Sequence, residues 1–172
     1  MSDTESANQI HSFSRAVQGG LWGMVLVFFA LISVDLGQAR LGFMFLPVAA
    51  IFFWPKTASH SWSLVGVFTL GLFYDVVSAG PLGLWALVLL IVFILMGGGA
   101  AAKIKFWPAV AGYSLGVAFV FVILLIFGKL TLTASPNAFS LGMNAAGSIL
   151  IFPIIYWLRS LFVSGAKEKA AW

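Results

Sequence analysis

The side chains that could carry out chemistry in this chain are few and far apart. Only two carboxylates, Asp35 and Asp75, lie near the hydrophobic runs, and the two histidines are His11 and His60. On one helix, the separation of His60 from Asp75 corresponds to roughly 22 Å, so these two residues cannot form a catalytic dyad. The chain contains no cysteine, which excludes a thiol nucleophile, a thiolate metal site and a disulfide.

The two aspartates leave one enzymatic possibility. If the hydrophobic runs span a membrane, Asp35 and Asp75 lie on the same outer side, as in a membrane aspartyl protease such as a lipoprotein signal peptidase. The Asn- and Gly-rich blocks that accompany the aspartates in that family are absent. Clustered metal ligands and a phosphate-binding G-x-x-x-x-G-K-[ST] loop are absent from the sequence as well. We therefore expect no catalytic site, no metal and no cofactor.

Asp75 is the most informative of these residues because it falls inside a hydrophobic run. Two interpretations are open. An ionisable group within a membrane span is a functional-site hypothesis by default, because burying an unpaired charge is costly. In the structural alternative, the carboxylate accepts hydrogen bonds from the tight turn at 78–81 or from the start of the next helix. Asn144 and Ser148, which share a helical face, predict an interhelical hydrogen bond rather than a substrate contact.

The composition indicates that lipid surrounds the elements that carry these residues. Of the 172 residues, 62% are hydrophobic and 8% are charged, whereas a soluble domain has about 25% charged residues. A soluble globular fold is therefore excluded. The net charge of +4 could suggest nucleic acid as a partner. The basic residues, however, are scattered singly between hydrophobic runs, which is typical of membrane topology signals.

Six hydrophobic runs predict six transmembrane helices and an all-α fold. They lie at about 19–34, 41–54, 62–77, 81–96, 106–127 and 139–162, and a helix needs about 20 apolar residues to cross the hydrocarbon. The second run is short and contains Pro47, so we expect it to be kinked, shifted in depth or shielded by its neighbours. The predicted organisation is a cytoplasmic tail at 1–16, a transmembrane domain at 17–163 and a cytoplasmic tail at 164–172.

The basic residues predict that both termini are cytoplasmic. Alternating the sides from run to run assigns seven Lys and Arg residues to the side of the N-terminus and only two, Arg40 and Lys129, to the other. An excess of positive charge marks the cytoplasmic side. Indole rings favour the membrane interface, and five lie near the same ends of the runs: Trp22, Trp54, Trp62, Trp107 and Trp157. Lys103 and Lys105 predict a contact with anionic membrane lipid.

Small residues spaced four apart predict where helices approach closely. Three pairs have this spacing, namely Gly19 and Gly23, Gly112 and Gly116, and Gly142 and Ala146. Association of helices in lipid depends on such close packing, because the hydrophobic driving force is absent there. The pairs fit either packing within the chain or a groove for the transmembrane helix of another protein, and both interpretations are open.

The segment 71–87 carries a motif with a known counterpart. It reads GLFYDVVSAGPLGLWAL, and it resembles the MreD family of rod shape-determining proteins, in which a G-L-L-x-D block and a short turn precede P-L-G-x-x-A-L. The matching positions are Gly71, Asp75, Pro81, Gly83, Ala86 and Leu87. Weaker similarities are the aromatic end of the second run at 52–55 and a last run with Asn144 and Pro153. The chain departs from the family at 39–41, where Pro followed by Asn or Asp is common.

The resemblance implies a small, non-enzymatic protein of the bacterial inner membrane that helps to build lateral peptidoglycan in rod-shaped cells. The implied direct partner is MreC, a single-span protein, within an assembly that includes the MreB filament, the glycosyltransferase RodA and a class B penicillin-binding protein. The implied fold is similar to that of the six-helix substrate-binding subunits of ECF vitamin transporters. By hypothesis, Gly71, Asp75, Pro81 and Gly83 shape an outer-leaflet contact with the transmembrane helix of MreC.

A transport subunit is the alternative from another class of protein. It would bind a small molecule in the outward-facing half of the bundle, with Asp75 and Asn144 as its polar contacts. The scarcity of polar residues argues against it, because ligand pockets need several convergent polar groups.

Overall fold

The structure, a computed structural model, describes residues 2–35, 40–55, 58–96, 105–131 and 137–169. These residues form α1 (Ser2–Ala30), β1 (Ser33–Asp35), β2 (Arg40–Gly42), α2 (Leu46–Phe52), α3 (His60–Val77), α4 (Leu84–Met96), α5 (Phe106–Thr131) and α6 (Ala138–Lys169). The predicted helical architecture is confirmed for this part of the chain, with one correction. β1 and β2 form a small antiparallel hairpin, with Ser33 opposite Gly42, where the sequence predicted no strand.

Four of the helices are long and apolar enough to cross a membrane. Within the described ranges, the qualifying stretches are Ser12–Ala30, His60–Val77, Phe106–Lys129 and Ala138–Arg159. α4 is apolar but has only 13 residues, which is roughly 20 Å of helix. The chain is therefore compatible with a membrane protein, as predicted, and helix length by itself supports four crossings.

The second predicted span differs most from its prediction. The sequence predicts a helix over 41–54, but α2 has only seven residues, or about 10 Å of helix. Pro47 lies in its first turn, where the missing N–H breaks no helical hydrogen bond, so the helix begins there and not earlier. Every residue of α2 is buried. Of the three predicted possibilities, shielding by neighbouring elements is the one observed.

Both predicted tails continue the terminal helices. α1 begins at Ser2 and runs unbroken into the first hydrophobic run, although the polar composition of 1–16 predicted a flexible tail. α6 continues to Lys169, past the predicted domain limit at residue 163. A helix that is already formed adds a further residue at little cost, because only the first turn has to be nucleated.

α1 and α3 run side by side in the same direction. Ser59, the N-cap of α3, donates its backbone N–H to the Ser12 hydroxyl at 2.7 Å. Further along both helices, the rings of Phe28 and Phe73 meet edge to face at 5.9 Å. The chain between the two helices must therefore return along the height of the bundle. We call residues 43–55 the return segment, which consists of α2 and the described non-helical residues on both sides of it.

The remaining helices pack around the return segment. α5 and α6 are antiparallel, with Phe106 against Tyr156 and Tyr113 stacked on Phe152 at 4.1 Å between ring centroids. Phe52 of α2 meets both Tyr113 and Phe152 edge to face. The centre of the core is thus an aromatic cluster that joins α2 to the last two helices.

Two of the three small-residue pairs pack within the chain. Added Cβ atoms would meet Pro55 and Leu70 at the first pair, on α1, and Phe52 at the second pair, on α5. The third pair, on α6, differs. A Cβ at Gly142 would have no neighbour within 4 Å, and Ala146 is exposed. The first two pairs therefore serve the chain's own packing, and the third remains on the surface.

Gly71 sets the distance between α3 and α4. A Cβ at this position would collide with the Cα and N atoms of Ala86, and backbone atoms cannot move aside as the end of a flexible side chain can. Gly20 of α1 provides a contrast, because a Cβ there would have no neighbour within 4 Å.

We expect Gly71→Ala to lower the free energy of unfolding in detergent by about 1–3 kcal/mol, the usual cost of overpacking. Gly20→Ala is the matched control, because both substitutions gain the same helix propensity and only the first meets a neighbouring helix. Denaturation followed by circular dichroism measures both variants. Equal stabilities would contradict the close approach of α3 and α4.

Candidate functional site

A tight turn joins α3 to α4 and brings the predicted site residues together. α3 ends at Val77, and Gly80 donates its N–H to the backbone carbonyl of Asp75 at 3.1 Å. Pro81 follows in the turn, where its fixed φ angle is favourable. Gly83 precedes α4 with a φ of +92°, a conformation that glycine adopts without strain.

The carboxylate of Asp75 caps the start of α4. Asp75 has 0% exposure. Its Oδ2 accepts hydrogen bonds from the N–H groups of Gly83 at 2.8 Å and Ala86 at 3.4 Å, and its Oδ1 accepts one from Trp85 at 2.9 Å. N–H groups in the first turn of a helix have no partners within that helix, and the positive end of the helix dipole favours an anion there. Of the two interpretations of Asp75, these bonds match the structural one.

In this arrangement the carboxylate of Asp75 has a structural role. Both oxygens already accept hydrogen bonds from the chain. His60 lies at the opposite end of α3, so the two side chains do not meet. Asp35 belongs to β1, and its side chain is outside the described part. Among the described residues, no group of three His, Cys, Asp or Glu could hold a metal ion.

The surface of the α3–α4 joint that points away from the bundle is apolar, and we call it the outward face. Val76 and Leu82 are 66% and 75% exposed, and Pro81 is exposed beside Leu82. Gly71 and Asp75 face α4 instead. The structure thus gathers all four predicted site residues, Gly71, Asp75, Pro81 and Gly83, in one joint, and the proline is the exposed one among them. Their contact with a partner stays a prediction.

A second set of hydrogen bonds holds the non-helical residues just before α2. The Tyr74 hydroxyl donates to the carbonyl of Met44 at 3.0 Å, and the Tyr113 hydroxyl donates to the carbonyl of Phe45 at 3.2 Å. The Ser148 hydroxyl accepts the N–H of Phe45 at 3.2 Å. Side chains from α3, α5 and α6 therefore add to the local backbone bonds of this stretch, in which the carbonyl of Phe45 also accepts the N–H of Val48 at 3.1 Å.

The predicted partnership of Asn144 and Ser148 is confirmed in part. Ser148 bonds outside its own helix, to the return segment, and it also donates to the carbonyl of Asn144 at 2.8 Å. The amide of Asn144 donates to the carbonyl of Ser140 at 2.8 Å, within α6. Its side chain lies against Gly42 of β2, where no Cβ would fit. Ser148 therefore bonds to another element of the fold, although its partner is non-helical backbone and not a second helix, and the amide of Asn144 bonds only within α6.

The tyrosine contacts were not predicted, although the sequence carries a signal for them. The chain has three tyrosines, and all of them fall inside apolar runs; Tyr74 and Tyr113 are the buried ones. A buried phenol needs a hydrogen-bond partner, so each of them requires a nearby acceptor. The acceptors are main-chain carbonyls, and no residue type marks them in a sequence.

Comparison of the chain with models of known protein families, with curated proteins and with solved structures finds no match. The function is therefore inferred from the motif at 71–87 together with the geometry described above.

We expect Asp75→Ala to lower the free energy of unfolding by about 2 kcal/mol or more. The substitution removes a helix cap, worth about 1 kcal/mol, and leaves buried N–H groups unpaired, at about 1–3 kcal/mol. Asp75→Asn retains one acceptor oxygen and should lose less. Thermal unfolding in detergent gives the order of the three proteins. Wild-type stability in Asp75→Ala would show that the carboxylate does not cap α4.

We expect Tyr113→Phe to cost about 1 kcal/mol, within the range of hydrogen bonds measured inside membranes, because the carbonyl of Phe45 loses its buried side-chain donor and keeps only the N–H of Val48. Thr69→Val is the control. The Thr69 hydroxyl is exposed and donates to the Val65 carbonyl of its own helix, which is already a helical acceptor. Denaturant titration of both variants measures the difference. A loss no larger than that of the control would argue against a role for Tyr113 in holding the return segment.

Proposed function

We propose that this chain is a non-enzymatic scaffold of the bacterial inner membrane, a member of the MreD family that binds MreC and helps to organise lateral peptidoglycan synthesis. The motif at 71–87 is the basis for this proposal, because its matching residues form one structural joint. The wider assembly contains MreB, RodA and a class B penicillin-binding protein. In this proposal the chain crosses the membrane six times and both of its ends are cytoplasmic.

The parallel course of α1 and α3 supports an even number of crossings. Four long helices and α4 account for five crossings, and the return segment accounts for the sixth. Among the described basic residues, Arg15, Lys105 and Arg159 lie at the end of the bundle where α1 and α3 begin, whereas Arg40 and Lys129 lie at the other end. The positive-inside rule then makes the first end cytoplasmic, and the α3–α4 turn faces outward.

The use of the buried polar groups is the observation that carries the scaffold function. Three polar or charged residues are buried in the described part, and Ser63, Asp75 and Ser148 all hydrogen-bond to the chain's own backbone. These three buried side chains do not point to one common place where a substrate could react. Large apolar side chains, in contrast, are exposed on each of the four long helices. Such a protein acts on its partners through packing surfaces.

In this proposal, the transmembrane helix of MreC packs against the outward face of the α3–α4 joint, formed by Val76 and Leu82. The predicted site residues do not form this face, but they hold the elements that carry it in place. Gly71 and Asp75 fix α4 against α3, while Pro81 and Gly83 fix the turn between them. The exposed pair Gly142 and Ala146 on α6, at the same end of the bundle, offers a second place for close helix approach.

A small-molecule-binding subunit of a transporter has less support. Its expected polar contacts are Asp75 and Asn144, and both are already engaged within the chain. The carboxylate caps α4, and the amide of Asn144 bonds to the carbonyl of Ser140.

Tryptophan substitution of the outward face tests the contact with MreC. We expect Val76→Trp and Leu82→Trp to lower recovery of MreC in co-purification at equal expression by about tenfold, or about 1.4 kcal/mol. A bulky ring displaces a packed helix, whereas lipid accommodates it. Leu115→Trp is the control, because Leu115 on α5 is 72% exposed and lies away from the joint. Unchanged recovery for both face variants would refute this contact.

A further inference from the structure

A groove runs between α1 and α6, the two terminal helices of the bundle. Its volume is about 250 Å³. α1 and α6 form its walls and the return segment forms its floor, through Val25, Phe29, Leu46, Phe53, Ile151 and Ile155. All of these side chains are apolar. The groove therefore suits an apolar guest.

Arg159 supplies the single charge of the groove. Its guanidinium Cζ lies 4.6 Å from the centre of the Phe53 ring, so one face of the cation rests on an aromatic surface. The chain has only five acidic residues. The one whose side chain is described, Asp75, is at the opposite end of the bundle and caps α4. Within the described residues, no carboxylate therefore pairs with Arg159, whose side chain is half-buried.

The position of Arg159 matches the depth of a lipid phosphate. Arg159 follows Ala138, the first residue of α6, by 21 residues, or about 32 Å of helix, which is close to the hydrocarbon thickness of about 30 Å, and it lies at the end of the bundle where α1 and α3 begin. The groove extends from Arg159 to Ile151, eight residues along α6, or about 12 Å. One leaflet of the hydrocarbon core is about 15 Å thick. An acyl chain lying in the groove would therefore have its headgroup at the guanidinium.

The groove walls favour an acyl chain over a polypeptide helix. The valine, isoleucine and phenylalanine side chains of the walls leave a volume of about 250 Å³ over a length of about 12 Å, which is a cross-section of about 20 Å², whereas a helix is about 10–12 Å across. A flexible chain fits between such side chains. We propose that the α1–α6 groove binds one anionic glycerophospholipid, with an acyl chain between the helices and its phosphate on Arg159. This site goes beyond the proposed scaffold function and does not depend on the identity of its partner.

Native mass spectrometry of the purified full chain tests the site. The probes are phosphatidylglycerol and phosphatidylcholine with identical acyl chains, titrated in mixed micelles. We expect one phosphatidylglycerol to bind about fivefold more tightly than phosphatidylcholine, the preference expected from one basic residue at the membrane surface. Glycerol phosphate, which has the charge but no chain, should not displace it. Equal binding of the two lipids to the unmodified protein would overturn the proposal. Displacement of phosphatidylglycerol by glycerol phosphate would overturn it as well.

Three variants separate the roles of charge and groove. Arg159→Gln should abolish the preference for phosphatidylglycerol, whereas Lys129→Gln, which removes an exposed cation at the opposite end of the bundle, should retain it. Val25→Trp should fill the groove and reduce the binding of both lipids. Equal effects of the two charge variants would indicate diffuse attraction and refute the site. Lipid binding unchanged by Val25→Trp, with recovery of MreC lost, would show that the groove holds a polypeptide instead.

Discussion

The need to pair every main-chain polar group away from water governs this structure. A membrane offers no solvent partner for an unpaired N–H or carbonyl, so non-helical backbone persists at depth only where protein surrounds it. The residues before α2 meet this condition because three side chains from three helices bond to Met44 and Phe45. The burial of every α2 residue follows from the same requirement. In the described part of the chain, the helices are thus arranged around a stretch whose backbone depends on side chains of other elements for some of its hydrogen bonds.

One turn of α3 connects this centre to the proposed partner surface. Tyr74 reaches inward to the carbonyl of Met44, and the next residue, Asp75, reaches across to the start of α4. Val76, the residue after that, is exposed on the outward face. Of three consecutive residues, the first therefore contacts the return segment, the second contacts α4, and the third is exposed on the outward face. This continuity explains how buried architectural residues can shape a face that they do not themselves line.

The sequence predicted the elements whose stability is local. The runs at 62–77 and 106–127 closely match α3 and α5, because apolar length alone requires a helix there. The second run could not be assigned in this way, since a short buried apolar segment has the same composition whether or not it is helical. Its conformation depends on Tyr113 and Ser148, which are remote in the chain. For Asp75, the short turn made capping one of two alternatives, and only the three-dimensional course of the turn distinguishes them.

The hydrogen bonds of Phe45 also constrain the order in which the protein can be made. Its partners, Tyr113 and Ser148, follow it by 68 and 103 residues. While the ribosome has delivered only α1 to α4, the carbonyl of Phe45 can accept the N–H of Val48 at 3.1 Å, but the N–H of Phe45 lacks the Ser148 hydroxyl that accepts it in the folded protein. The return segment can therefore take its final place only after α5 and α6 have emerged. The stretch next to α2 is thus completed last, although it leaves the ribosome before α3.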